Sequence, residues 1–108
     1  MEREYVILCN EHSGLFRGAA LFWGHKTEDN EKRSFGGYTS DIDGCEMYTL
    51  EEIKNNGYNF PVFHRDSFGE KDDEEVWWSI RQISDIIIKK EDLLNFKNLK
   101  TIRVLYRP

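Results

Sequence analysis

Two apolar runs near the start constrain this chain most. Tyr5-Val6-Ile7-Leu8-Cys9 is rich in β-forming residues, and Ser13-Gly14 with Gly18 mark a loop after it. Ala19-Ala20-Leu21-Phe22-Trp23 then reads as the hairpin partner. A sheet is therefore the expected framework. Neither Ala19–Trp23 nor the later run Ile86–Ile88 approaches the length of a membrane span. The full 108 residues suit one domain with a real core, so 1–108 is read as a single unit. Seven Phe, five Tyr and three Trp are too many aromatics for an acidic disordered chain, and two Pro with eight Gly exclude low-complexity classes.

Other elements follow from local chemistry. Residues 24–37 are polar and end in Gly36-Gly37, which predicts a surface loop; Tyr38-Thr39-Ser40 then forms a short third strand, closed by the turn Asp41-Ile42-Asp43-Gly44. Thr49-Leu50-Glu51-Glu52 is a capping box, in which the Thr49 hydroxyl and the Glu52 carboxylate each accept from the other's backbone amide. Gly57 supplies the left-handed residue that stops this helix. Tyr58 to Phe68 is a packed aromatic loop, with a short edge strand at Val62-Phe63 after Pro61. Asp72 caps a second helix whose first turn is acidic, and Val76, Ile80, Ile83 and Ile87 share one helical face. The β-branched run Ile86-Ile87-Ile88 supports a strand there instead, so 84–89 stays open between helix and strand. A helical turn is expected over 91–96 and a closing strand over 101–106. The fold class expected is α+β: a small antiparallel sheet, made of the hairpin and the C-terminal strand, packed with two or three helices. Tyr5, Phe22, Trp23 and Tyr106 are assigned to its core.

Chemistry-bearing motifs are sparse. His12, His25 and His64 lie at no metal-ligand spacing, and neither Cys9 nor Cys45 has a CxxC partner. The start, Met1-Glu2-Arg3-Glu4-Tyr5, reads as no signal peptide, which favours reduced thiols and a cytoplasmic setting. Counted from Asp41, Glu52 falls at the twelfth place of a calcium loop. Cys45 and Gly44 then misplace the remaining ligands, so Glu52 is better used in the capping box. Phosphate-loop, nucleophile-elbow and zinc-helix patterns are missing, and no cofactor or metal is expected.

Charge layout says more. Residues 66–75 hold Asp66, Glu70, Asp72, Asp73, Glu74 and Glu75 against Lys71 alone, so the whole formal charge of -5 resides in this stretch. Either it is a solvated loop that charges the next helix, or an anionic patch able to occupy a Lys/Arg-lined groove on a partner. Trp77-Trp78 abuts it. Neighbours on a helix point about 100 degrees apart, so either one indole enters the core while the other stays near the surface as a binding hot spot, or both rings pack under the aromatic loop from Tyr58 to Phe68. Partner-binding residues are accordingly Asp66, Glu70, Asp72, Asp73, Glu74, Glu75, Trp77 and Trp78. Residues 76–108 lean basic, through Arg81, Lys89, Lys90, Lys97, Lys100, Arg103 and Arg107.

The segments Leu21-Phe22-Trp23-Gly24, Gly37-Tyr38-Thr39-Ser40-Asp41-Ile42 and Tyr48-Thr49-Leu50-Glu51-Glu52-Ile53 resemble a group of small bacteriophage and prophage proteins. The likeness covers the first half of the chain. Gly44-Cys45-Glu46-Met47 replaces the group's usual Ala-Gly, and the loop from Trp23 to Gly37 is longer than usual. The resemblance implies a phage or mobile-element accessory protein. Together with the 66–75 patch and Trp77-Trp78, it makes the expected function protein–protein binding that inhibits a host defence nuclease, an anti-CRISPR or similar anti-defence role. Two alternatives stand beside it: a nucleic-acid or nucleotide-binding module using the basic C-terminal third, and a small enzyme using His64, Asp66 and Cys45.

Overall fold

A computed structural model of the chain describes residues 2–11 and 20–96. Over these residues the fold is α+β, as expected. The elements run β1 (Tyr5–Cys9), β2 (Leu21–Trp23), β3 (Tyr38–Thr39), α1 (Leu50–Asn55) and β4 (Val62–Phe63). A 3-10 turn at Arg65–Phe68 follows, then α2 (Asp73–Ile80), β5 (Asp85–Lys89) and α3 (Lys90–Leu94). The strands form one sheet in the order β3-β2-β1-β5-β4. β1 pairs antiparallel with β2, Leu8 facing Phe22, and along its whole length with β5, from Tyr5 opposite Lys89 to Cys9 opposite Asp85.

The sheet is mixed rather than wholly antiparallel. β4 runs parallel to β5, because the chain between them crosses over through the 3-10 turn and α2 and re-enters in the same direction. The closing strand expected at 101–106, and Tyr106 with it, lie outside the described residues.

Residues 86–88 are strand. Ile86 and Ile88 point to one face with Val6, Leu8 and Phe22, while Ile87 points to the other with Ile7. Both faces are covered, so a strand here buries all three isoleucines, as an interior strand requires. Full burial of each is worth about 1.5–3 kcal/mol. That outweighs intrinsic helix preferences, which span about 0.7 kcal/mol for ordinary residues. The helical face therefore ends at Ile80, and Ile83 is left exposed in the turn that follows. Asn10 secures this turn, its amide donating to the carbonyls of Ile80 at 2.9 Å and Ile83 at 2.6 Å.

On the first face the sheet packs against Val76, Trp77 and Ile80 of α2, Leu93 of α3, and Ile42, Cys45, Phe63 and Phe96. On the second it carries Ile53 of α1, Tyr48 and a set of partly buried rings. Trp23 meets Tyr58 and Phe60 edge-on at 5.0 and 5.4 Å, and Phe35 stacks between Tyr48 and Tyr58. The core assignment holds for Phe22, which is fully buried, whereas Tyr5 and Trp23 are half-buried on the second face.

The capping box is present in both directions: the Glu52 amide donates to the Thr49 hydroxyl at 3.1 Å and the Thr49 amide to Glu52 at 2.9 Å. Gly57 follows the helix with φ +87.

The polar loop 24–37 is more than a solvated excursion. Its Arg33 reaches into the protein and pairs with Glu46 at 3.0 Å, the two side chains being 5% and 1% exposed. Glu46 also accepts from the amides of Ser34 and Met47, at 2.9 and 3.1 Å, and from the Thr27 hydroxyl. Arg33 in turn donates to the carbonyls of Glu28 and Glu31. Glu52 extends the chain of charge: it lies 3.8 Å from Arg33 and accepts from the Arg3 guanidinium at 3.0 Å. At the head of the loop Gly24 has φ +74, and a Cβ there would meet the Ser34 carbonyl and the Tyr48 hydroxyl.

Candidate protein-binding surface

The acidic stretch forms the bridge from β4 to α2. Arg65 organises it. The guanidinium donates to Asp73 at 3.0 Å and to the carbonyls of Lys71 at 2.6 Å and Gly69 at 3.3 Å, and lies 5.9 Å from the centre of the Phe96 ring. One side chain thereby pins both ends of a tight connection whose Gly69 has φ +57. The carboxylates of the stretch are not equivalent. Asp73 is half-buried and neutralised by Arg65. Asp72 caps α2, accepting from the Glu74 amide at 3.5 Å. Asp66, Glu70, Glu74 and Glu75 are exposed, so these four carry the stretch's charge into solvent with only Asp72 beside them.

The tryptophan pair splits as helix geometry requires. Trp77 is 5% exposed and packs edge-on against Phe96 at 5.8 Å, with the Arg81 guanidinium 5.5 Å from its ring centre. It belongs to the core, which takes it out of the set available for contact. Trp78 is 69% exposed, the largest value among the exposed large hydrophobic residues described. Glu74 and Glu75 stand four and three positions before it, on the same side of the helix. The structure therefore brings together Glu74, Glu75 and Trp78 on the outer face of α2, with Asp66 and Glu70 on the turn leading into it.

Arg65 is the residue that sequence reasoning passed over. Its only signal was position: the single cation just ahead of six carboxylates.

The residues named for catalysis do not form a nucleophilic site. Cys45 is buried, burial pushes its thiol up to about 12, and its sulfur donates to the Ile42 carbonyl at 3.3 Å. It is a protonated core thiol at neutral pH. His64 and Asp66 are exposed at the start of the 3-10 turn. Of the basic residues assigned to a nucleic-acid face, Lys90 is engaged with Asp43 at 3.1 Å. Lys89 and Lys90 line an open cleft of about 350 Å³ that also contains Glu4 and Glu91. Lys97, Lys100, Arg103 and Arg107 lie outside the described residues. No described helix is long and apolar enough to cross a membrane. Compared with known proteins, the chain matches no family model, no curated protein and no solved structure.

Proposed function

We propose that this protein acts by contact, as a phage-type accessory protein that binds a host protein whose own ligand is nucleic acid, and that this host protein is a defence nuclease. The observation that supports the reading is the outer surface of α2 and its leading turn. Glu74 and Glu75 stand beside an exposed indole on α2, and two further exposed carboxylates, Asp66 and Glu70, lie on the leading turn, which Arg65 ties to Lys71 and Asp73. Such a surface offers a Lys/Arg-lined groove the negative charge it is built to attract, together with an aromatic anchor of the kind that dominates interface energetics. The phage setting rests on the resemblance of residues 21–53, and the cytoplasm is the compartment in which such a partner is met.

The charge is best tested where it carries no structural duty. Asp72 and Asp73 hold the fold, so the variant of choice is D66K/E70K/E75K. Against the captured nuclease at low salt, its association rate constant is expected to fall at least about tenfold, with the salt dependence of that rate largely lost. An unchanged rate constant in this variant overturns the proposed mechanism.

A further inference from the structure

The outer face of α2 carries a more specific reading, which rests on the contact mode proposed above and names the chemistry of the group it receives. Helical side chains lean toward the N-terminus, so the Trp78 ring covers the turn that holds Glu74 and Glu75 rather than the turn after it. An exposed indole is thus bracketed by two carboxylates one turn back. The chain's own cation three positions on, Arg81, is directed to the other indole, 5.5 Å from the centre of Trp77. Trp78 therefore presents an open aromatic face with negative charge at its border.

A π-face rimmed by carboxylates attracts a cation twice, through the ring quadrupole and through ion pairing. A guanidinium suits both better than an ammonium does. It is planar, stacks on indole, sheds water more readily and meets carboxylates in a forked geometry. The helix is a stiff platform for such a contact. Its first turn is tied down by Asp72 and by Asp73 with Arg65, its last carbonyl by Asn10, and its inner face by Val76, Trp77 and Ile80. We propose that Trp78, Glu74 and Glu75 form a receptor for one arginine side chain of the partner protein, laid flat on the indole and paired at its edge.

The test uses octa-arginine as probe, titrated at low salt into the intact chain, with the indole N–H resonances as reporters. The Trp78 resonance is expected to shift and that of Trp77 to stay in place, with octa-lysine binding more weakly. W78A should weaken octa-arginine binding about two- to fivefold, the range expected for an exposed cation–π contact, and W78F should restore part of the loss. E74Q/E75Q should weaken it by a similar factor. Because Trp78 is exposed, W78A is expected to fold as the parent does, and its thermal midpoint confirms that. Octa-arginine bound equally well by W78A, or not bound at all at low salt, overturns the receptor. The contact mode is judged separately, by the salt-dependent association of a D66K/E70K variant, which leaves Glu74, Glu75 and Trp78 intact, with the nuclease that the parent chain captures from host lysate.

Discussion

Replacing Glu46 by Gln should lower the unfolding free energy by about 3–5 kcal/mol at neutral pH, the usual result of removing one partner from a buried ion pair. The amide keeps the shape of the side chain, so the loss is electrostatic. Arg33, with its side chain 5% exposed, loses its buried partner and keeps only the more distant Glu52 carboxylate at 3.8 Å. Moreover, half of the new amide is a donor that cannot accept from Thr27, Ser34 or Met47. The acid limb of stability should change as well. Burial works to raise the Glu46 carboxyl, but hydrogen bonds from Thr27, Ser34 and Met47 with the Arg33 charge outweigh it. The group is held below the ordinary glutamate value of 4.5. A depressed carboxyl stabilises the fold above its unfolded pKa, and that contribution is lost as pH falls through the folded value. E46Q should therefore show a shallower loss of stability on acidification than the parent. Glu52, also held low, retains its own share through Arg3 and Thr49. Urea unfolding between about pH 3 and pH 7 measures both effects. A loss under about 1 kcal/mol at neutral pH contradicts the assignment of Glu46 and Arg33 as the anchor of the 24–37 loop.

The two adjacent tryptophans should behave as opposites. Trp77→Ala removes a ring that fills the space between α2, Phe96 and the sheet, at an expected cost of about 3–5 kcal/mol. Trp78→Ala removes a ring that lies mostly in water, and stability should stay within about 0.5 kcal/mol of the parent. Partner binding should show the reverse order among variants that remain folded. Chemical unfolding of the pair decides it, and a Trp78 variant as unstable as the Trp77 variant removes the free anchor on which the binding surface depends.

How much of this was legible in the residues depends on how local the cause is. The capping box at Thr49 and Glu52, the stop at Gly57 and the Asp72 cap each involve groups within a few positions, and each forms as read. The hairpin pairing and the Val62-Phe63 edge strand also follow from short patterns. Residues 84–89 stayed ambiguous because three isoleucines satisfy either period. What decides for strand is β1, some 80 positions earlier, which offers a partner with both faces covered. The parallel placement of β4 was hidden for the same reason. In the candidate binding surface, the split between Trp77 and Trp78 follows from helix geometry, but which one turns inward is set by Phe96 and the sheet. The unequal duties of the carboxylates come from Arg65, whose reach to Gly69, Lys71 and Asp73 depends on a turn no pattern announces. The Arg33–Glu46 pair joins a charged loop to a segment that reads as a turn, and nothing in either distinguishes a buried charge from a solvated one.

The most direct measurement of the binding account captures partners from host lysate on three baits: the parent chain, D66K/E70K/W78A, and K54A/N55A as a control on exposed positions of α1. All three baits are first matched for thermal midpoint. One stoichiometric nucleic-acid-binding protein, held by the parent and the α1 control and lost from the α2-surface variant, is the expected result. The same protein held equally by all three baits contradicts the account.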